Sequence, residues 1–116
     1  MREALPSAVA RVTRAVRMIE ERRESELTLG SLAQEAGLSP YHLLRTFQQL
    51  TGVTLHQYIR RARLREAARR LVAERARVLD IALDCGFGDV SNFNRAFRSE
   101  FGVNPREFRT QRALRS

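Results

Sequence analysis

Apolar residues recur at steps of three and four along most of the chain, which is the spacing of amphipathic helices. In the first stretch Val9, Val12, Val16 and Ile19 follow this spacing. No strong alternation of apolar and polar residues, typical of a half-buried strand, interrupts the helical pattern. The helical stretches predicted on this basis are 8–24, 29–36, 39–52, 56–76, 79–85, 91–100 and 105–115. The pattern therefore predicts an all-α domain of about seven helices.

Several predicted helix ends carry residues with capping chemistry. Thr28 or Ser31 is available to cap the second helix, and Ser39 followed by Pro40 suits the start of the third. Serine is a common N-cap, and proline fits the first helical position because it needs no N–H there. Gly37, like Gly86 further on, suits the left-handed backbone that ends many helices.

The longest predicted helix runs from His56 to about Ala76 and is rich in alanine, leucine and arginine. Its predicted buried face carries Leu64, Ala67, Ala68, Leu71 and Val72. The arginines of the remaining surface are Arg60, Arg61, Arg65, Arg69 and Arg70. This surface is predicted to be either a solvated face or a source of phosphate contacts.

Two segments on either side of this helix resemble each other, which indicates an internal repeat. The matched pairs are Leu32-Ala33 with Ile81-Ala82, Ala36-Gly37-Leu38 with Cys85-Gly86-Phe87, Arg45-x-Phe47 with Arg95-x-Phe97, Gly52-Val53 with Gly102-Val103, and Tyr58 with Phe108. The offset is 49 before the turn and 50 after it, because the second turn has one extra residue.

Each repeat has the pattern of a helix-turn-helix. A small Ala33 or Ala82 allows two helices to cross closely, and a glycine four residues later ends the first helix. Leu38 and Phe87 are predicted to enter the core after that glycine. The residues expected to hold each second helix from beneath are Leu43, Phe47, Phe93 and Phe97. The chain is thus predicted to contain two tandem helix-turn-helix subdomains joined by a long connecting helix.

Charge points to a polyanionic partner. The chain has 21 basic residues, all arginine, against 13 acidic ones, for a net charge of +8. Arginine presents a rigid fork that matches phosphate groups and the edge of guanine. An all-arginine inventory also fits a GC-rich coding sequence, but that cause does not explain the net charge.

Other chemistry is sparse in this sequence. The single Cys85 excludes a disulfide framework and aligns with a core alanine of the first repeat. His42 and His56 lack partners at metal-ligand spacing and are interpreted as surface or capping residues. No carboxylate cluster or activated nucleophile is evident, so we expect no enzyme activity, metal or cofactor. The N-terminus lacks the apolar stretch of a signal peptide, and we expect a cytoplasmic protein with no membrane partner.

The run GFGDVSNFNRAFRSEFGVNP resembles the most diagnostic stretch of the AraC/XylS family of bacterial transcription regulators. SLAQEAGLSPYHLLRTFQQLTG and RARLREAARRL resemble the family's first repeat and connecting helix, and the likeness covers roughly Val9 to Arg109. The resemblance implies one DNA-binding domain over 1–116. It divides into a first helix-turn-helix at about 8–54, a connecting helix at about 55–76 and a second helix-turn-helix at about 78–112.

The resemblance also implies which residues read DNA, since the outward N-terminal part of each second helix enters the major groove. In the first repeat these positions are Tyr41, Leu44, Arg45 and Gln48. In the second they are Val90, Ser91, Asn92, Asn94 and Arg95. Arg45 and Arg95 suit guanine O6 and N7, and Asn92 suits adenine. For each arginine the plainer alternative is a phosphate clamp or a surface charge.

The leading hypothesis is a sequence-specific regulator of transcription that binds double-stranded DNA as a monomer. Its connecting helix would span roughly 30 Å at ~1.5 Å per residue, against ~34 Å for one turn of DNA. Two protected major-groove segments about 10 bp apart are therefore expected. RNA polymerase is an expected partner, as is an effector-binding domain if the chain is part of a longer protein. The alternative is a protein-interaction module that has lost DNA reading.

Overall fold

The computed structural model describes residues 4–21 and 27–115, with side chains for 7–21 and 27–113. All regular secondary structure in those residues is helical, so the predicted all-α class is confirmed. The helices are α1 (Ala4–Glu21), α2 (Leu29–Ala36), α3 (Pro40–Thr51), α4 (Leu55–Ala73), α5 (Val78–Asp84), α6 (Val90–Phe101) and α7 (Pro105–Arg115).

The predicted bounds of α2 are confirmed, and its caps explain them. Thr28 Oγ1 accepts from the backbone N–H of Ser31 at 2.9 Å, while Ser31 Oγ accepts from the backbone N–H of Thr28 at 3.1 Å. The two candidate caps thus act as one reciprocal capping box. At the other end Gly37 has a φ of 71°, the left-handed conformation predicted for it.

The predicted buried face of α1 is partly wrong. Val12 and Ile19 are buried as predicted, but Val9 is 51% exposed. Ala15 and Met18 are buried instead, because the face that packs on α2 and α3 is centred near Ala15. Alanine has a small side chain and adds little to an apolar pattern, so the larger valines defined the predicted face. The predicted end at residue 24 lies outside the described residues.

Helix α4 ends three residues earlier than the predicted Ala76. Val72 was predicted to be buried with Leu64 and Leu71, yet it is 51% exposed. Eight residues at 3.6 per turn place Val72 about 80° around the helix from Leu64, which is the edge of the apolar stripe. Val72 lines a shallow surface depression with Arg75 instead of entering the core.

The chain divides into two compact units, Met1–Arg60 (unit 1) and Arg61–Ser116 (unit 2). In unit 1, α1, α2 and α3 pack on one another. Their fully or nearly fully buried side chains include Ala15, Leu32, Ala33, Ala36, Leu43 and Phe47. The Phe47 ring also meets Tyr58 at 5.5 Å between centroids.

The core of unit 2 is built from the second half of α4 with α5 and α6, and its buried members are Leu64, Ala67, Ala68, Leu71, Ile81, Ala82, Cys85, Phe93, Ala96 and Phe97. Phe87, Phe101 and Phe108 are half-buried against this cluster. Cys85 has the predicted role of a small core residue, and burial raises the pKa of its thiol. Leu38 of unit 1 is likewise half-buried.

Candidate nucleic-acid interface

Helix α3 begins at a cap made by its own neighbouring side chains. Ser39 Oγ accepts from the backbone N–H of His42 at 3.2 Å and lies 2.9 Å from His42 Nδ1. Pro40 occupies the first helical position, as predicted, where its missing N–H breaks no intrahelical bond. The start of this helix, with the predicted DNA-reading residues on it, is therefore held in place locally.

Helix α6 begins at a cap that the sequence analysis missed. Asp89 Oδ1 accepts from the backbone N–H of Asn92 at 2.7 Å. The helix consequently starts at Val90, one residue before the predicted Ser91. The available signal was an aspartate directly before the helix, which is among the preferred N-cap residues.

The inner faces of α3 and α6 are as predicted. Leu43 and Phe47 of α3 have no exposed surface, and neither do Phe93 and Phe97 of α6. Each helix is thus fixed from beneath by two side chains one turn apart. These buried side chains determine which face of each helix is turned outward.

The predicted reading residues lie on the outer faces of α3 and α6. The exposed ones are Tyr41, Arg45, Gln48, Ser91, Asn92, Asn94 and Arg95. Leu44 and Val90 are half-buried, so each offers only part of its side chain to a partner. The predicted residues of the first repeat all lie on α3, and those of the second repeat all lie on α6.

Tyr41 and Arg45 interact with each other on the surface of α3. Arg45 Nη1 donates a hydrogen bond to Tyr41 Oη at 3.3 Å, and the tyrosine is 65% exposed. The contact directs the Arg45 guanidinium toward the N-terminal end of α3. Arg95 is exposed and has no hydrogen-bond or ion-pair partner among the side chains described for 7–21 and 27–113.

Both turns are braced by an arginine from the preceding long helix. In unit 1, Arg11 Nη1 donates to the carbonyl oxygens of Ala36 at 3.0 Å and Gly37 at 2.7 Å. In unit 2, the Arg63 side chain packs over Gly86, which has a φ of 95°. A Cβ at Gly86 would lie 3.1 Å from Arg63 Cζ. Glycine is needed at this turn for both its backbone conformation and the space it leaves.

Much of the arginine surface of α4 is occupied by ion pairs within unit 2. Arg69 Nη2 lies 2.7 Å from Glu66 Oε2, and Arg61 Nε lies 3.7 Å from Glu100 Oε1. The hydrogen bond to Glu66 raises the pKa of Arg69. The alternative of a solvated face, rather than a phosphate-binding one, is therefore favoured for these two side chains.

Arg70 joins the end of α4 to the end of α5. Its guanidinium contacts Glu74 Oε2 at 2.9 Å and Asp84 Oδ2 at 3.1 Å. The hydrogen bond with Glu74 raises the pKa of Arg70, and the same bond lowers the pKa of the Glu74 carboxyl. This arginine has a structural role inside unit 2.

Arg109 of α7 caps the C-terminal end of α4. Its Nε donates to the carbonyl of Leu71 at 2.8 Å, and its Nη2 donates to those of Ala76 at 2.7 Å and Glu74 at 3.3 Å. These carbonyls belong to the last turn of α4 and the loop after it, which lack helical partners. A cation is also favourable at the C-terminal end of a helix dipole.

We expect Arg109→Met to lower the free energy of unfolding by about 1.5–3 kcal/mol, because hydrogen bonds from a charged group contribute roughly that much. Arg106→Met is the matched control, since Arg106 is exposed on the same helix and should change stability by no more than about 0.5 kcal/mol. Urea unfolding followed by circular dichroism measures both. Equal losses in the two variants would contradict the capping role.

The two turns, each followed by a capped helix with a buried inner face and an exposed outer face, define a tandem helix-turn-helix protein. A family model described as "Helix-turn-helix domain" matches residues 32–111. The chain belongs to the AraC/XylS family of helix-turn-helix regulators, as the sequence resemblance indicated.

Curated relatives include regulators of different lengths. The chain is 38% identical over 87 residues to the "Probable transcription factor PqrA" of Proteus vulgaris, covering 75% of this chain and 71% of that protein. It is 35% identical over 112 residues to the "HTH-type transcriptional activator RhaS" of Escherichia coli. That match covers 97% of this chain but only 40% of RhaS.

Solved structures share the architecture. An AraC-type regulator from Chromobacterium violaceum superimposes with a TM-score of 0.85 at 32% identity, covering 90% of this chain and 94% of that one. The DNA-binding domain of AdpA, solved in complex with a target DNA, gives a TM-score of 0.79 at 27% identity, with the same two coverages. Among the residues described for the present chain, no helix has the length and apolar character to cross a bilayer.

Proposed function

We propose that this chain is a sequence-specific regulator of transcription that binds double-stranded DNA through α3 and α6 in successive major-groove segments. The observation that carries the proposal is the pair of capped helices, each with two fully buried side chains beneath and a polar outer face. The net charge of +8 supports a polyanionic partner. The solved complex of the related AdpA domain with its target DNA is consistent with this assignment.

Individual roles follow from side-chain chemistry. Arg45 and Arg95 bind guanine bidentately, and Asn92 suits the N6 and N7 atoms of adenine. Gln48, Ser91 and Asn94 donate to or accept from neighbouring base edges or phosphates. Leu44 and Val90 offer partial apolar contact to a thymine methyl group, and Tyr41 packs on the sugar-phosphate backbone while its hydroxyl holds Arg45.

The partners beyond DNA belong to the same proposal. A regulator that activates transcription, as RhaS is named, has RNA polymerase as its expected target. Because the chain spans 40% of RhaS, an effector-binding domain is proposed as a partner in any longer protein that contains this domain. The site of action would be the bacterial cytoplasm, at the nucleoid when bound.

Selection of binding sites from a random duplex library tests the proposal. We expect enrichment of one asymmetric site, because the outer faces of α3 and α6 differ in sequence. A monomer should protect two segments about 10 bp apart on one face of the duplex. A library that stays unenriched after several rounds, with the protein folded, would favour the protein-interaction module instead. A strict palindrome would contradict the tandem arrangement.

Binding should also weaken steeply with salt. If ~6–8 phosphates are contacted, the slope of log K against log salt should be about −5 to −7. Fluorescence anisotropy of the selected duplex at four salt concentrations measures this slope. A nearly flat dependence would mean that arginine–phosphate contacts contribute little, which is contrary to the proposed binding mode.

A further inference from the structure

The positive charge of the chain is unevenly divided between its two units. Of the 21 arginines 13 lie in residues 61–116, against seven of the 13 acidic residues, so unit 2 carries +6 and unit 1 carries +2. The ion pairs of α4 use several of those arginines internally. Four others, Arg75, Arg77, Arg106 and Arg109, line one surface beside the start of α6.

Unit 2 contains a surface groove beside α6 with a volume of about 760 Å³, here called the basic groove. Its walls come from the loop after α4 and from the first turns of α5, α6 and α7. The residues on which the argument depends are Arg75, Arg77, Val90, Asn94, Arg106 and Arg109. Val90 and Asn94 are also two of the proposed DNA-reading residues, so the groove adjoins the recognition surface.

Two arginines of the basic groove are unpaired among the described residues, and the other two have partners within unit 2. Arg75 and Arg106 are exposed and have no hydrogen-bond or ion-pair partner in the described part of the chain. Arg77 is 79% exposed at its side chain and pairs with Asp80 at 3.2 Å. Arg109 binds the carbonyls of Glu74 and Ala76, which flank Arg75, and so fixes the loop that presents Arg75 and Arg77.

We infer that the basic groove binds phosphates of the DNA backbone next to the bases read by α6. This inference rests on the proposed function. The start of α7 is closed by a capping box, in which Glu107 Oε1 accepts from the backbone N–H of Asn104 at 3.0 Å and Asn104 Oδ1 accepts from that of Glu107 at 2.8 Å. The arginine side chains therefore supply the positive potential of the groove. A bound phosphate would set the register of α6 on the duplex without reading sequence.

The first repeat supplies an internal comparison. Arg77, the N-cap position of α5, corresponds to Thr28, the N-cap of α2. At the same offsets of 49 and 50, Arg75 corresponds to Glu26 and Arg106 to His56. None of these unit 1 counterparts is a permanent cation. The basic groove is therefore a property of unit 2 and is not part of the shared helix-turn-helix pattern.

The test is the variant Arg75→Gln/Arg106→Gln, titrated against the selected duplex and a scrambled duplex. Losing two phosphate contacts should flatten the salt slope by about two units and weaken both duplexes about 10–50-fold at 0.15 M salt. The ratio of the two affinities should stay unchanged. The matched control is Arg14→Gln/Arg17→Gln, which removes the same charge from the exposed face of α1.

Arg77→Thr is a second variant that is expected to preserve the fold. Threonine can cap α5 with its side chain, as Thr28 caps the equivalent helix α2. It should flatten the slope by about one unit without loss of stability. If the control variant loses as much affinity as the groove variant, or if the groove variant keeps the wild-type slope, the inference is wrong. If the wild-type chain binds neither duplex, the proposed function itself fails.

Discussion

Replacing Arg95 with alanine is expected to lower the ratio of operator to scrambled-duplex affinity by about 5- to 150-fold, or about 1–3 kcal/mol, because a bidentate contact to guanine carries discrimination of that size. Arg95 is the strongest candidate for this role, since it is exposed on α6 and lacks an intramolecular partner in the described residues. Arg45→Ala should behave in the same way at a different base pair. The selected site should lose preference at one position in each variant.

Arg69→Ala is the matched control for both substitutions. Its guanidinium forms a two-pronged pair with Glu66, with bonds of 3.1 and 2.7 Å, on a helix that carries none of the proposed base contacts. We expect the affinity ratio to stay within about twofold of the wild-type value, since a contact away from the bases carries no sequence information. Titration at two salt concentrations, after circular dichroism shows the variants folded, measures all three. If Arg45→Ala and Arg95→Ala weaken both duplexes equally, these arginines are phosphate clamps.

The outward faces of α3 and α6 were predictable from the sequence because their determinants are local. A helix N-cap, a proline at the first position and two apolar residues four apart fix which side of α3 faces outward. The internal repeat aligns α6 with α3, so the same outward face could be predicted for α6. Seven of the nine proposed reading residues are exposed, and only Leu44 and Val90 are partly covered.

The arginines were harder to assign, because a long side chain finds its partner in the tertiary structure. Nothing in the local sequence separates Arg109, which binds three carbonyls from α4 and its following loop, from the exposed Arg106 three positions earlier. Arg11 and Arg63 brace the two turns from distant helices. The basic groove was missed for the same reason, since it gathers arginines from separate segments of unit 2.

The second large expected effect is a loss of stability on truncating a buried phenylalanine. Phe97→Ala should lower the stability of unit 2 by about 3–5 kcal/mol, which is typical of truncating a buried phenylalanine. The ring has no exposed surface. Its centroid lies 5.6 Å from that of Phe93, 4.5 Å from Phe101 and 5.3 Å from Phe108.

Phe47→Ala is the matched comparison, because Phe47 occupies the corresponding position of α3 and is equally buried. Its ring has one aromatic neighbour among the described residues, Tyr58 at 5.5 Å. Aromatic pairs contribute about 0.5–1.5 kcal/mol each beyond buried area, so the loss at Phe97 should exceed the loss at Phe47 by about 1–3 kcal/mol. Amide hydrogen exchange resolves the two units, with α6 and α7 reporting on one variant and α2 and α3 on the other. Equal losses of protection would mean that the aromatic contacts of unit 2 add nothing to the burial of the ring.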